Sequence, residues 1–158
     1  MKRSRFLYHG SSKRVNILLP KKASDWKFEA GRHFGVYATS NRDVALAFAL
    51  GGIPDETGTC HRVIREKDRK TLKMVFVRGH PNFGGKGYLY KLSSKGFRYV
   101  GGDQWVCENP VNPIKIIEIK VDDYLHLFRY ATEQERLEIE SEFRKQMRSR
   151  KKKKRNKS

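Results

Sequence analysis

The sequence predicts an α+β fold built mainly from short antiparallel strands, and three observations support this. The chain has 158 residues, which is enough for one domain with a hydrophobic core but short for two. Hydrophobic residues make up 37% of the chain and aromatic residues 11%, a content that can fill such a core. Short apolar runs alternate with Gly, Asn, Asp and Ser, a pattern typical of several strands rather than of a helical bundle.

Six apolar runs are the clearest candidate strands. They cover residues 5–9, 36–38, 72–77, 88–92, 104–107 and 114–121. In the last run Ile114 and Ile116, and after a shift of one residue Ile117, Ile119 and Val121, alternate with polar residues, as in a strand with one buried face. By contrast, residues 52–70 are polar and rich in turn formers, which predicts a loop or an irregular excursion.

A first helix is predicted directly after the second of these runs. Either Ser40 or Asn41 can cap its N-terminus, because both side chains accept hydrogen bonds from free backbone N–H groups. Helical periodicity then places four apolar residues on one face: Val44, Ala45, Phe48 and Ala49.

A second helix is predicted near the C-terminus. Thr132 and Glu135 have the spacing of a capping box. Ile139, Phe143 and Met147 follow at intervals of four residues and form a stripe that can dock on the body of the protein. We therefore expect an amphipathic helix over residues 131–150.

The charge of the chain is strongly positive and concentrated at one end. The sequence has 35 Lys and Arg against 17 Asp and Glu, and residues 144–158 hold ten basic residues and no acidic one. Such a field attracts polyanions, and nucleic acid is the predicted partner. A solubilising role is the alternative, and residues 151–158 are expected to be a disordered tail. The predicted nucleic-acid-binding residues are Arg148, Arg150, Lys151, Lys152, Lys153, Lys154 and Arg155.

The cysteines and the N-terminal sequence indicate the cellular compartment of the protein. Cys60 and Cys107 are the only cysteines and form no CxxC pair, so no metal site is predicted. The N-terminal residues lack the apolar run of a signal peptide, and no stretch is long enough to span a bilayer. These features predict an intracellular protein, in the cytoplasm or with the nucleoid or nucleus.

Two stretches carry the pattern that points to a family. His9, Gly10 and Ser11 lie at the end of a predicted strand, in the stretch FLYHGSS. Tyr37 and Ala38 lie in another predicted strand, in the stretch GVYAT. Phe48 follows Tyr37 by eleven residues on the first helix. This order and spacing resemble the poly-ADP-ribose polymerase branch, the His-Tyr-Glu type, of the ADP-ribosyltransferase superfamily.

The resemblance covers residues 6–121 and implies a split antiparallel β-sandwich with flanking helices and NAD as the cofactor. It implies that the His9 imidazole binds the adenine-side ribose and that Gly10 pairs with the nicotinamide carboxamide. Tyr37 and Phe48 would sandwich the nicotinamide ring, with Phe48 in place of the usual tyrosine. The implied cofactor-binding residues are His9, Gly10, Ser11, Tyr37, Ala38 and Phe48.

The third element of the family departs from its usual form, because Gln104 aligns with the usual glutamate. The implied catalytic residues are therefore His9, Tyr37 and Gln104. Glutamine can hold a ribose hydroxyl but carries no charge, and a positioned acid or base contributes about 10² to 10⁴ in rate. We therefore expect slow ADP-ribosyl transfer, transfer of single ADP-ribosyl groups, or no transfer. Asp103, turned by a bulge at Gly101 and Gly102, or the more distant Glu108 is the candidate substitute.

The predicted organisation is an ADP-ribosyltransferase-like domain over residues 1–130, the helix over 131–150 and the tail over 151–158. The predicted function is mono-ADP-ribosyl transfer to a nucleic acid or protein acceptor. Alternatives are an inactive nucleic-acid-binding domain on the same fold, an NAD-dependent RNA 2′-phosphotransferase and a ribonuclease. Tyr8 stands where the phosphotransferase family has arginine, and His33, His61 and His80 have no spacing that pairs them. Taken singly, His9, Tyr37 and Phe48 also fit purely structural roles.

Overall fold

The computed structural model describes residues 4–22, 33–66 and 72–157. These described residues form ten strands, a 3₁₀ helix over Val121–Leu127 and two α-helices, α1 (Arg42–Leu50) and α2 (Glu133–Asn156). The strands are β1 (Phe6–Ser11), β2 (Lys21–Lys22), β3 (Phe34–Ala38), β4 (His61–Glu66), β5 (Leu72–Arg78), β6 (Lys86–Ser93), β7 (Arg98–Gly101), β8 (Gln104–Cys107), β9 (Lys115–Lys120) and β10 (Phe128–Tyr130).

The strands form three sheets with mainly antiparallel pairing. Their orders are β1-β6-β9, β2-β3-β8-β7 and β10-β5-β4. All the ladders in these sheets are antiparallel except that between β10 and β5. The prediction of a mixed α+β fold with antiparallel sheets is confirmed at this level.

Helix α1 lies on β1 and β6 with its backbone very close to theirs. A Cβ atom added at Gly10 of β1 would overlap the carbonyl oxygen of Ala45, and one added at Gly87 of β6 would overlap that of Ala49. Glycine at both strand positions lets the helix come this close, since no side chain separates the two backbones. On its other faces α1 contributes Leu46 and Leu50 to the hydrophobic core.

Most of the predicted elements are present. All six candidate strands are confirmed with small differences at their ends. Asn41 caps α1 by accepting from the backbone N–H groups of Asp43 and Val44. The loop prediction for residues 52–70 is wrong for β4, because pairing with β5 makes this polar segment a strand. Residues 67–70 lie outside the described part of the chain.

Helix α2 begins as predicted but continues further. Thr132 and Glu135 form a reciprocal capping box, and Ile139 is only 3% exposed. The helix runs through Asn156, so the disorder predicted from residue 151 is wrong for 151–156. Lysine and arginine are good helix formers, and cations are favourable near a helix C-terminus. Neither α2 nor any other helix of the described ranges is long and apolar enough to cross a membrane.

Candidate functional site

The candidate site is the space where β1 and β3 separate, which we call the β1–β3 split. The two strands meet at one bridge, where Tyr8 and Thr39 exchange backbone hydrogen bonds of 2.8 and 2.9 Å. Backbone polar groups of successive residues in a strand point to opposite edges, so those of residues two apart point to the same edge. Gly10 and Tyr37, each two residues from the bridge, therefore direct their N–H and C=O groups toward the split.

Strand β2 bounds the far end of the split. It pairs with β3 through Lys21 and Gly35, on the edge that faces β1 at Thr39. Lys21 is exposed, and its charge is one of the influences on His9. No sequence signal predicted β2, because a two-residue basic strand has neither an apolar run nor an alternating pattern.

His9 is fixed by a bond to the backbone of β3. Its Nδ1 lies 2.6 Å from the Tyr37 carbonyl oxygen. A carbonyl only accepts, so Nδ1 carries the proton, and Nε2 of the neutral ring is an acceptor. Burial is the main cause that lowers the pKa of His9 below its usual 6.5, although the bond to Tyr37 acts in the opposite direction. The neutral ring is therefore favoured at physiological pH.

Gly10 has two distinct roles in this geometry. Its missing side chain is required by α1, because Ala45 and Ala49 occupy the volume that a Cβ would fill. Its backbone N–H and C=O lie in the sheet plane and face the split. The glycine at position 10 thus has a packing cause, and the binding role that the resemblance implies stays a prediction.

The two predicted sandwich residues are each supported by their own neighbours. The Tyr37 hydroxyl donates to the His33 carbonyl at 3.0 Å and accepts from the His33 N–H. Phe48 is 52% exposed, and the Arg62 guanidinium lies over its ring at 6.0 Å. Arg62 in turn donates to the Ala47 carbonyl, and burial lowers its pKa. That the two rings enclose a nicotinamide stays a prediction.

Gln104 begins β8 on the other side of β3. Val106 pairs with Tyr37, so strand alternation puts Gln104 on the face that carries the Tyr37 side chain. The Gln104 Oε1 is buried and has no hydrogen-bond partner among the described residues. A buried amide oxygen without a donor costs about 1 to 3 kcal/mol, which a ligand hydroxyl would recover.

Asp103 has a structural role that the sequence did not predict. It lies in the turn between β7 and β8, where Gly102 and Asp103 both have positive φ, 58° and 53°. Its carboxylate accepts from the Thr39 hydroxyl at 3.0 Å and the Ser40 hydroxyl at 2.6 Å. These bonds tie the hairpin that carries Gln104 to the junction of β3 and α1.

The remaining predicted residues have other neighbours. The Ser11 hydroxyl accepts from the Lys13 N–H at 3.1 Å, and Ala38 is buried opposite Trp105. Glu108 is exposed and pairs with Arg98 at 3.5 Å. The other histidines have separate surroundings: His61 lies against Phe143 and His80 stacks on Phe83.

Comparisons with known proteins leave the family of this chain open. No protein-family model matches it, and comparisons with curated proteins and with solved structures gave no significant match. The fold is thus identified only as mixed α+β with mainly antiparallel sheets. Function must accordingly be inferred from the residues that line the β1–β3 split.

Proposed function

We propose that the chain binds NAD in the β1–β3 split and is an ADP-ribosyltransferase-like protein that transfers single ADP-ribosyl groups to a nucleic acid or protein acceptor. The observation that carries this proposal is the pair of Gly10 backbone groups that face the split beside His9. A carboxamide has an N–H donor and a C=O acceptor in one plane. One backbone C=O and one backbone N–H complement it.

The other groups around the split suit the rest of NAD. His9 Nε2 accepts from a ribose hydroxyl when the ring is neutral, which its lowered pKa favours. Lys21 at the far end of the split supplies a cation for the pyrophosphate. The Tyr37 ring, held through its hydroxyl by His33, offers a flat surface for the positively charged pyridinium.

In the proposed reaction the bond between the nicotinamide nitrogen and the ribose C1′ breaks, and its electron pair leaves with nicotinamide. The acceptor oxygen or nitrogen forms a bond to C1′ and releases a proton. Positive charge develops at C1′ between these events. Gln104 can accept a hydrogen bond from a ribose hydroxyl through its buried Oε1, but it cannot neutralise this charge or take the proton.

A second candidate function is NAD binding without turnover. Gln104 favours it, because no carboxylate stands at that position. Asp103 favours it too, because its carboxylate already accepts from Thr39 and Ser40. A base would have to come from the acceptor or from a different residue.

The two candidates are separated by measuring free nicotinamide after incubation with NAD and with DNA, RNA and protein acceptors. We expect Gln104→Glu to raise the rate by about 10² to 10⁴ if the missing carboxylate is the defect. Glu108→Gln removes an exposed carboxylate beside Arg98 and is the matched control, with no change expected. If both the unaltered protein and Gln104→Glu bind NAD but release no nicotinamide, the second candidate is supported. Absence of NAD binding overturns both.

A further inference from the structure

The C-terminal part of α2 differs in charge from the part before it. We call residues 144–156 the α2 arm. It contains no carboxylate and nine cations: Arg144, Lys145, Arg148, Arg150, Lys151, Lys152, Lys153, Lys154 and Arg155. All of these side chains are exposed except Arg150, which is half-buried.

The first part of α2 fixes the arm to the body of the protein. Glu135 accepts two bonds of 2.8 Å from Arg129, and Glu140 accepts one of 3.1 Å from Arg78. Ile139 between them is buried. In the described ranges no ion pair involves Lys151 to Lys154. The helix therefore presents its cations on a rigid, anchored support.

The charge density of the arm matches that of a nucleic acid duplex. Thirteen helical residues extend about 20 Å, so nine cations give about one charge per 2 Å. Duplex DNA carries about one phosphate charge per 1.7 Å of its axis. A membrane-surface helix needs an apolar face, whereas Met147 is the one apolar residue of the arm.

The width of the arm fits the major groove of duplex DNA better than that of duplex RNA. A helix with its side chains is about 10 to 12 Å across, and the major groove of B-form DNA is about 12 Å wide. The major groove of A-form RNA is too deep and narrow for side chains to enter. Lysine and arginine dominate the arm, and such side chains contact mainly phosphates.

From this match of charge and shape, we infer that the α2 arm binds duplex DNA as a helix in the major groove, without sequence preference. This inference does not depend on NAD, because no residue of the β1–β3 split takes part. The cations that contact phosphates release counterions, so the affinity falls steeply with salt.

The test measures binding of the full chain, without NAD, to a fluorescent duplex DNA, to the corresponding duplex RNA and to anionic vesicles. One variant carries Lys151→Gln, Lys152→Gln, Lys153→Gln and Lys154→Gln. We expect it to bind DNA at least about tenfold more weakly, with the slope of log affinity against log salt reduced by about 3 to 4. Glutamine keeps helix propensity, so the helix should persist.

A matched control removes the same charge from the body through Lys13→Gln, Lys95→Gln, Lys115→Gln and Lys120→Gln, all at exposed positions. We expect it to keep most of the affinity. Equal losses from the two quadruple variants would overturn the inference, as would equal or tighter binding to RNA or vesicles.

Two further measurements test the groove and the helix. Guanine N7 lies in the major groove, so the bound arm should protect it from methylation by dimethyl sulfate. Ser149→Pro breaks the helix but keeps every cation, and it should weaken binding. Unprotected N7 or unchanged affinity of Ser149→Pro would show a flexible electrostatic contact instead and overturn the helical mode.

Discussion

The two α-helices of this protein are attached to its sheets in opposite ways. Helix α1 lies directly on Gly10 and Gly87, and five of its residues are buried: Ala45, Leu46, Ala47, Ala49 and Leu50. Helix α2 buries Ile139 alone, packs Phe143 against His61, and is held mainly by arginine–carboxylate pairs. Attachment through shape tolerates changes of pH and salt but not of volume. Attachment through ion pairs tolerates changes of side-chain volume but is sensitive to pH and salt.

The largest effect is expected from Gly10→Ala. The new Cβ would overlap backbone atoms of Ala45 and Ala49, which cannot move without shifting the whole of α1. We expect a loss of about 3 kcal/mol in the free energy of unfolding, measured by urea denaturation. Gly58→Ala is the control: its Cβ meets nothing within 4 Å, and its φ of +80° alone should cost about 1 kcal/mol. Equal costs would show that α1 is not held by close backbone packing.

Ile139→Ala is expected to have the next largest effect. It removes the single buried side chain of α2, at a cost of about 2 kcal/mol. Hydrogen exchange should accelerate in α2 and stay slow in α1. Leu137→Ala on the same helix, where the side chain is 59% exposed, should change neither. Accelerated exchange in both helices would mean that they are not attached independently.

Asp103→Asn tests the charged contact between the β7–β8 turn and the residues just before α1. It weakens the bonds from the Thr39 and Ser40 hydroxyls, which we expect to cost about 1 kcal/mol. NAD affinity should fall as well, because the hairpin that carries Gln104 is released. Glu108→Gln, an exposed carboxylate nearby, should leave thermal stability and NAD affinity unchanged. Unchanged thermal stability and NAD affinity of Asp103→Asn would show that Asp103 does not support the site.

The smallest effect on stability is expected from the ion pair of Glu135 with Arg129, since charges that solvent reaches are screened. Bonds from Arg129, followed by those from Thr132, lower the pKa of Glu135 from 4.5 to about 2. A lowered pKa in the folded state stabilises it above pH 4.5, and this contribution is lost as the pH falls toward 2. The protection of the α2 amides from hydrogen exchange, relative to their intrinsic rates at each pH, should therefore fall over that range before that of the α1 amides does. Glu135→Gln should remove this pH dependence, and its persistence in that variant would assign it to another group.

Local signals allowed much of the fold to be predicted. The caps at Asn41 and Thr132 were visible because a cap needs only the side chain and the next three residues. Strand β4 was missed because its polar residues become a strand only through pairing with β5. Helix α2 is longer than the sequence predicts, because a run of cations with nothing to bury predicts disorder whereas lysine and arginine also favour helix.

The candidate site was predictable only in part. Residues His9, Tyr37 and Gln104 were selected through a resemblance, and the structure places His9 Nδ1 on the Tyr37 carbonyl. The roles of Lys21 and Asp103 depend on pairing between segments far apart in the chain, which no local pattern contains. The exposed position of Phe48 likewise depends on where α1 rests, not on its periodicity.

The central claim is that the backbone of Gly10 receives the carboxamide of NAD. Titration of the isotope-labelled chain with NAD, followed by NMR, tests it most directly. We predict that the amide signals of Gly10 and Tyr37 shift as NAD binds, while those of the α2 arm do not. Signals that stay in place at the split, or shifts confined to the α2 arm, would contradict the claim.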